Sequence, residues 1–514
     1  NLAYNTPFGI LFKTKPDLDK LENCISKILN SHDAFKTYFV LNDGDVYQKL
    51  VDHIDFKLLR KDYKNEDFIK PSDLSKAPLI HAEFDSYEGN YLLQLDIHHI
   101  ICDGSSINIF AKELCDLYNG KKLKEQEIDY IDYALSENIT EDDKEFWTSQ
   151  FTNGIPLLNM PTEFERTSTK SFEGDNIYSK LTNVAQINDL CKTFNITPYM
   201  FLLSCFYVLL YKYTMQNDII VGTPVVGRNN PRFENVIGMF VNTLPLKQNI
   251  QSTTRFSDFL SIVKNNCLNS FNHQTYPFDE LVKELNITRD NSRNPMFDVM
   301  FIYESGGRPE FKIGDISTHY IIPKNNTSKF DFSLEITPNR QSFDLRLEYC
   351  TKLYGKEFMN TLLNCYINIT NSVIDNVDIQ ISKINMLSEI PYIYPTLDYP
   401  EDLRIIDLFE KQVSLTPNRI ALVFGDEKYT YKELEIKVNK LANYLITLGK
   451  NNIIGIMMDR SSNLIVSMLA ALKSGSGYLP IDPTYPEDRI KYIIEDSEVK
   501  VILTEEKYQD MCPV

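Results

Sequence analysis

Hydrophobic and polar positions along the first 160 residues predict a mixed set of helices and strands. Apolar residues recur at helical spacing over 18–29, after Pro16 and Asp17, and predict a helix with one buried face. Apolar stretches over 34–41 and 46–51 flank an Asp43-Gly44 step, which predicts a β-hairpin.

A second strand is predicted over 91–99, where apolar and polar residues alternate. Strict alternation places His99 on the apolar face of this strand and His98 on the opposite face. A short turn follows, and Ser105 or Ser106 can cap a helix that ends before Gly120. The local prediction is therefore strand, short loop, capped helix.

The middle of the chain predicts a second mixed lobe of similar size. Prolines at 156 and 161 interrupt any regular element over 150–169, so we place the connection between the lobes there. Beyond it, the apolar stretch over 200–210 predicts a buried helix, 218–226 a strand, and 330–349 a hairpin with alternating apolar residues.

The last quarter of the chain has a different pattern. Three prolines and no periodicity over 390–403 predict a linker. After it, helices predicted at 431–448 and 463–473 alternate with strands at 453–458 and 499–504, which is typical of a doubly wound sheet. We therefore expect two lobes, at 1–160 and 161–388, a linker at 389–404 and a further α/β segment at 405–514.

Composition and charge exclude several classes of protein. The 514 residues are 43% hydrophobic and 24% charged, which predicts a folded protein of several domains. A net charge of −18 argues against nucleic acid or an anionic membrane as partner. The nine cysteines include no C-x-x-C pair, and the chain starts without a secretory signal, so we expect a cytoplasmic protein with neither disulfides nor a metal site.

Candidate chemistry lies at the end of the 91–99 strand, in the sequence His98-His99-Ile-Ile-Cys-Asp103-Gly104. If the two rings point to opposite faces, only one of them can be the working residue. We expect this to be His99, as a base or hydrogen-bond partner with a pKa near the ordinary value of about 6.5. Asp103 would orient the loop and Gly104 would allow close approach of a substrate. The alternative is a core histidine beside an ordinary Asp-Gly turn.

Further segments occur in an order that resembles nonribosomal peptide synthetase condensation domains, relatives of the chloramphenicol acetyltransferase fold. His98-His99-x-x-x-Asp103-Gly104 resembles the signature of that family. The other segments that resemble family motifs are SHDAFKTYF from Ser31, YIDYA from Tyr130, IGMFVNT from Ile237, HQTYPFD from His273 and RDNSRNPMF from Arg289. In order, these segments extend from residue 31 to residue 297.

The resemblance implies a fold and a function. The fold would be mixed α/β, with two chloramphenicol acetyltransferase-like lobes forming a V-shaped pseudo-dimer. The function would be peptide-bond formation by attack of a carrier-bound acceptor amine on a carrier-bound donor thioester at His99, with His98 and Asp103 holding the loop. The substrate channel would include Ser105, Ser106, Asn242 and Thr243. Upstream and downstream carrier domains would supply the 4′-phosphopantetheine arms, and the protein would be monomeric.

The segment at 405–514 resembles the opening of an adenylation domain of the same synthetases. YTYKEL from Tyr429 and LKSGSGYLPID from Leu472 are similar to its early motifs. Because the sequence stops before the phosphate loop and the late catalytic lysine, we expect no amino-acid activation from it. ATP and Mg²⁺ would serve only a complete adenylation domain.

Two departures from the family pattern affect the site. Ser31 and Lys36 replace the arginines of the early motif, and in the family an arginine there pairs with the motif aspartate. Lys36 is therefore the candidate partner of Asp103, as a point charge without the bidentate fork. Ser105 also stands where a larger residue is common.

Three other functions remain open on the sequence. The first is epimerisation, which needs a second acid or base from the opposite lobe. The second is ester formation, which changes only the acceptor nucleophile. The third is a catalytically silent platform that docks carriers.

Overall fold

The structure, a computed structural model, describes residues 2–61, 68–124, 126–136, 139–288, 290–307, 309–387, 402–449 and 452–512. The chain divides into two units, Asn1–Ile390 and Pro391–Val514. Most of the predicted linker at 389–404 lies outside the described residues.

The first unit begins with a β-rich segment. Its elements are β1 (Asn5–Phe12), α1 (Leu18–Ser31), α2 (Asp33–Lys36), β2 (Thr37–Asn42), β3 (Asp45–Leu50), β4 (Leu59–Arg60), β5 (Ile80–Tyr87), β6 (Asn90–His98), α3 (Gly104–Tyr118), α4 (Tyr130–Ser136) and α5 (Glu141–Ser149). It continues with β7 (Gly174–Leu181), α6 (Val184–Phe194), α7 (Pro198–Thr214), β8 (Asp218–Val225), β9 (Asn242–Asn249), α8 (Phe256–Asn272), α9 (Phe278–Glu284), β10 (Val299–Tyr303), β11 (Thr318–Ile321), β12 (Phe332–Pro338), β13 (Phe343–Cys350) and α10 (Lys356–Asp375).

Most predicted elements of the first lobe are confirmed, with two local corrections. α1 is capped by the side chain of Asp17 and buries its apolar face, as predicted. The hairpin turns at Asp43 and Gly44, both with positive φ, but its first strand begins only at Thr37, because 33–36 form the short helix α2. The strand predicted over 91–99 ends at His98.

The first sheet has five strands in the order β11-β1-β6-β5-β4. β1 lies between β6 and β11 and is antiparallel to both. α1 and α3 share its apolar core, where Phe8, Ile28 and Phe110 are fully buried. Thus β11 pairs with the first sheet although it lies far along the sequence, inside the segment predicted for the second lobe.

The second sheet has six strands in the order β7-β13-β12-β10-β8-β9. The predicted hairpin of β12 and β13 is confirmed, with Leu334 opposite Leu347. α7 is buried over most of its length, as predicted for the apolar stretch, and shares one core with α10 and the apolar residues of β12 and β13. Tyr366 on α10 donates its hydroxyl hydrogen to the Leu202 carbonyl of α7 at 3.0 Å.

Packing crosses the boundary predicted at residues 160 and 161 in both directions. Trp147 of α5 is buried in the second core. In the other direction, Ile237, Phe311 and Ile313 are buried in the first core, next to the strand β11. Local proline content cannot reveal this exchange, because it depends on pairing between segments that are distant in sequence.

The second unit contains a small parallel sheet, as the alternating pattern predicted. Its elements are α11 (Ile405–Leu415), β14 (Ile420–Phe424), β15 (Glu427–Thr430), α12 (Tyr431–Thr447), β16 (Ile453–Met457), α13 (Ser462–Lys473), β17 (Gly477–Pro480), α14 (Glu487–Asp496) and β18 (Ile502–Thr504). β16 is the central strand and is parallel to β17 and β18.

Among the described residues, no single helix combines the length and the apolar composition that a membrane span requires. Helices α6 and α7 reach them only together, and the pair is bent by 100°.

Candidate functional site

The chain leaves the strand conformation between the two adjacent histidines. His98 ends β6, and His99 begins a short 3₁₀ helix, His99–Ile101. The Nδ1 atom of His98 accepts a hydrogen bond from the backbone N–H of Ile100 at 3.2 Å and so caps this turn. The alternation argument that placed the two rings on opposite faces therefore does not apply to His99.

His99 lines a cavity of about 640 Å³ inside the first unit. Gly104 lines the same cavity, and a Cβ at that position would meet nothing within 4 Å, so the space above it is open. The Nδ1 atom of His99 is buried and has no hydrogen-bond partner among the described residues. Nε2 is not buried in this way, so it is the ring nitrogen that a ligand can reach.

The protonation state of His99 differs from our expectation. Burial, followed by the positive charge of Lys329, lowers its pKa to about 4, not the ordinary value of about 6.5. The same two causes lower the pKa of His98. At neutral pH the His99 imidazole is consequently uncharged and is available to accept a proton.

Asp103 is a buried carboxylate held by five hydrogen bonds. It caps α3 by accepting from the backbone N–H and the hydroxyl of Ser106, each at 2.8 Å. Arg228 donates to both of its oxygens, at 2.7 and 3.1 Å, and the N–H of Phe240 donates at 3.1 Å. The predicted cap at Ser105 or Ser106 is therefore wrong, since Asp103 itself is the N-cap.

The predicted partner Lys36 is also wrong. Its Nζ lies 2.7 Å from Asp33, three residues earlier, on the short helix α2. The bidentate partner of Asp103 is Arg228, 125 residues away in sequence, in the loop after β8. Arginine supplies the two-pronged geometry that a lysine in this position could not provide.

Gly227 explains how Arg228 reaches Asp103. Its φ is +70°, in the left-handed region, and a Cβ there would lie 1.9 Å from the carbonyl oxygen of Phe240. Glycine thus lets the loop pack directly on the backbone of Phe240. The guanidinium of Arg228 then lies 4.1 Å from the centre of the Phe240 ring. One indication of this contact is present in the sequence, an arginine that directly follows a glycine near the end of an apolar strand.

Neither of the two serines predicted to line the substrate channel lines the His99 cavity. Ser106 is fully buried, and its hydroxyl accepts from the Gly238 N–H at 3.1 Å and from Arg228 at 3.0 Å. It connects α3 with the Gly238 segment. Ser105 is half-buried and is not among the residues that line the His99 cavity.

Asn242 lines a second cavity, of about 580 Å³, but its side chain is already committed. Its Nδ2 donates to the carbonyls of Gln274 and Tyr276 at 2.8 and 2.7 Å, and its Oδ1 accepts from Thr243 and Phe278. Asn242 therefore fixes the loop before α9. Thr243 pairs with the edge of β8 and does not line either cavity.

Aromatic side chains form one wall of this second cavity. Those that line it are Tyr130, Tyr133, Phe233 and Phe240. The Tyr130 hydroxyl donates to the Met239 carbonyl at 2.7 Å, which attaches α4 to the same segment that contacts Asp103. The two cavities are thus linked through Phe240, which lines one of them and binds the aspartate beside the other.

The second lobe contributes charged residues to the His99 cavity that sequence reasoning missed. They are Asp175, Glu304, Lys324, Lys329, Glu335, Arg346, Glu348 and Lys356. The sequence could have predicted those on β12 and β13. If the apolar residues of an alternating strand face the core, the charged residues between them face the other way.

Comparison with known proteins identifies the family. Residues 1–391 match the family model "Condensation domain", and residues 409–513 match "AMP-binding enzyme". Bacitracin synthase 1 of Bacillus licheniformis is 38% identical over 527 residues, which covers 98% of this chain and 10% of that protein. Surfactin synthase subunit 2 of Bacillus subtilis (strain 168) is 36% identical, over 99% of this chain and 15% of that protein. The chain thus spans between a tenth and a sixth of these relatives.

Solved structures share the fold. A holo four-domain nonribosomal peptide synthetase bound to AMP and glycine aligns with a TM-score of 0.73 at 21% identity, covering 100% of this chain and 42% of that one. The X-domain from teicoplanin biosynthesis aligns with a TM-score of 0.69 at 16% identity, covering 75% of this chain and 93% of that one. The chain therefore belongs to the condensation-domain family of nonribosomal peptide synthetases and continues into the start of an AMP-binding domain.

Proposed function

We propose that this chain joins two carrier-bound substrates through a peptide bond. The α-amine of an acceptor aminoacyl thioester attacks the carbonyl carbon of a donor aminoacyl or peptidyl thioester. An upstream and a downstream carrier domain deliver the two thioesters on 4′-phosphopantetheine arms. The observation that carries this proposal is the uncharged His99 imidazole lining a cavity large enough for reactants.

The chemistry requires little activation of the nucleophile. A free α-amine has a pKa of about 7.7–8.0, so a substantial fraction is unprotonated at neutral pH. Attack forms the C–N bond and moves the carbonyl π electrons onto oxygen, which leaves a proton to be lost from the nitrogen. His99 Nε2 takes this proton, the C–S bond breaks as the oxyanion collapses, and the departing thiolate receives the proton from the imidazolium.

Asp103 acts as a positioning residue in this scheme. Its oxygens are occupied by Arg228, Ser106 and the backbone of Phe240, so it fixes the loop and does not contact a reactant. His98 stabilises the same turn from the other end, through its bond with Ile100. Gly104 leaves open the space that a thioester needs beside the imidazole.

The direct test replaces His99 and supplies two loaded carriers. His99→Ala and His99→Gln should lower the rate of dipeptide formation by about 10²- to 10⁴-fold, because the proton acceptor is lost. The matched control is His53→Ala, which removes an exposed histidine. Dipeptide formation is measured by mass spectrometry in a single turnover, and an undiminished rate for both His99 variants would contradict the proposal.

Epimerisation is the second candidate because one observation favours it. Glu304, at the end of β10 in the second lobe, lines the same cavity as His99, and burial raises its pKa. A carboxyl group opposite an imidazole is the pair that proton exchange at an α-carbon requires. Incubation of the loaded donor carrier in D₂O separates the two reactions: deuterium at the donor α-carbon without dipeptide indicates epimerisation.

Two remaining alternatives are resolved with the same reagents. An acceptor carrier that presents a hydroxyl in place of the amine tests for ester formation. A platform without catalytic activity would bind both loaded carriers and yield no product from either acceptor.

A further inference from the structure

The second-lobe wall of the His99 cavity is a polar sheet face. Glu335 on β12 lies opposite Arg346 on β13, and Glu348 is two residues further along β13. Their neighbours in the strands, such as Leu334 and Leu347, are buried in the core on the other face. Strand alternation therefore directs the charged side chains into the cavity.

Two pairs of charged groups in this wall are ion-paired. Arg346 and Glu335 form an ion pair at 2.6 Å. Lys324 also lines the cavity, and its Nζ lies 3.0 Å from Asp175. Within each of these pairs the two charges neutralise one another.

Lys329 is different. It lines the cavity, yet its Nζ has no hydrogen bond or ion pair with any of the residues that the structure describes. Its ammonium lies over the ring of Tyr4, with 5.2 Å between Nζ and the ring centre. The side chain of Lys329 is half-buried, and its ammonium has no ion-paired carboxylate among the described residues. Such a group can interact strongly with negative charge that forms in the cavity.

The backbone of Lys329 is held from several sides. Its carbonyl accepts a hydrogen bond from Lys170 Nζ, and its N–H donates to Glu348 Oε1 at 3.4 Å. The next residue, Phe330, stacks on Phe297 with 5.7 Å between ring centres. The side chain of Lys329 therefore enters the cavity from a fixed point.

The electrostatic setting is consistent with a functional cation. Burial lowers the pKa of Lys329 to about 8, while Glu348 opposes this shift and Arg346 adds to it. At neutral pH the group is still mostly protonated. Lys329 also contributes to the lowered pKa of His99, so the cavity combines an uncharged base with a nearby ammonium.

We propose that Lys329 is a further catalytic residue, whose Nζ donates a hydrogen bond to the oxyanion that forms when the acceptor amine attacks the donor thioester. The inference rests on the proposed peptide-bond formation. As the C–N bond forms, the carbonyl oxygen gains the electron pair of the C=O π bond, and the ammonium stabilises that charge until the C–S bond breaks. Lys329 itself forms and loses no covalent bond. Fixed donors aimed at developing charge are among the largest contributions to catalysis.

The experiment measures single-turnover dipeptide formation by the full chain with saturating loaded carriers. Lys329→Met should lower the rate constant by about 10²-fold without changing the carrier concentration needed for half-maximal rate, because the interaction arises in the transition state. Lys329→Arg keeps the charge and should recover part of the rate. The matched control, Lys324→Met, removes a lysine from the same cavity that is already paired with Asp175 and should lower the rate far less than Lys329→Met does.

The pH dependence supplies a readout that a structural role would not move. The rate of the wild-type chain relative to Lys329→Met should fall as the pH rises through about 8, where Lys329 loses its proton. The ratio is used because the acceptor amine titrates identically in both proteins. The other charged groups facing Lys329, namely Glu348, Arg346 and Glu335, remain in both.

Three results would overturn the inference. They are an unchanged rate constant for Lys329→Met, an equal loss in Lys324→Met, and a loss confined to acceptors with one kind of side chain, which would assign Lys329 to side-chain recognition. Failure of the proposed function itself is distinguished by the wild-type chain, which would then yield no dipeptide at all.

Discussion

Two charged regions near the His99 cavity differ in whether their charges are paired. On the first-lobe side, Asp103 and Arg228 form a network with Ser106 and the backbone of Phe240. On the second-lobe side, Lys329 has no side-chain hydrogen bond or ion pair among the described residues, although Arg346 nearby is paired with Glu335.

The difference distinguishes charged side chains that hold the structure together from charged side chains that can act on a reactant. A buried charge with all its partners is fixed and unreactive, and removing one partner leaves the other uncompensated. A charge that faces open space without a partner can interact strongly with whatever enters. We therefore expect substitutions at Asp103 and Arg228 to affect stability first, and substitutions at Lys329 to affect rate first.

The largest effect should come from breaking the satisfied network. Arg228→Met leaves the Asp103 carboxylate buried without its cation and should lower the free energy of unfolding of the first unit by about 3–5 kcal/mol. Urea unfolding can be followed by fluorescence, because Trp147, the single tryptophan of the chain, is buried in this unit.

The double variant Asp103→Asn with Arg228→Met sharpens the comparison. Because it removes both charges, it should be more stable than Arg228→Met alone, and the difference measures the cost of the unpaired carboxylate. If Arg228→Met and the double variant unfold with equal free energy, the unpaired carboxylate has no measurable cost. That result would show that the pair is not a source of stability.

A smaller effect is expected from acid. Because the pKa of His99 falls from about 6.5 in the unfolded chain to about 4 in the folded one, the unfolded chain binds more protons between these values. The buried, uncharged His99 therefore makes its full contribution to the free energy of unfolding above about pH 6.5, and this contribution is lost as the pH falls towards 4. It amounts to at most about 3 kcal/mol, at about 1.4 kcal/mol per pKa unit.

The check compares the wild-type chain with His99→Gln in urea at pH 7 and pH 5. The wild-type chain should lose more stability on acidification than the variant does. Asp96, whose pKa burial raises to about 6, titrates in the same range with the opposite sign, but it is present in both proteins and cancels. A parallel loss in the two proteins would contradict the lowered pKa of His99.

Local patterns in the sequence predicted much of this structure. The helix α1, the hairpin of β12 and β13 and the parallel strands of the second unit follow from residue spacing alone. The position of His99 at the end of a strand also followed, since the apolar residues before it are buried as alternation requires.

Features that depend on distant segments were not predicted. The partner of Asp103 is 125 residues away, and β11 joins a sheet whose other strands lie more than 200 residues earlier. The predicted turn started one residue too late, after His99 instead of after His98, because alternation cannot show where a strand ends when the next residues are also apolar. Each of these errors concerns pairing or termination, which short-range periodicity does not encode.

The smallest predicted effect tests the partner that sequence similarity suggested. Lys36→Met removes only a partly exposed pair with Asp33 on the short helix α2, and such pairs contribute about 0–1 kcal/mol. The variant should therefore unfold within about 1 kcal/mol of the wild-type chain and form dipeptide at an unchanged rate. Measured beside Arg228→Met under the same conditions, this variant separates the two candidate cations. Only removal of the true partner leaves the Asp103 carboxylate uncompensated. A large loss of stability in Lys36→Met with a small one in Arg228→Met would therefore reverse our assignment.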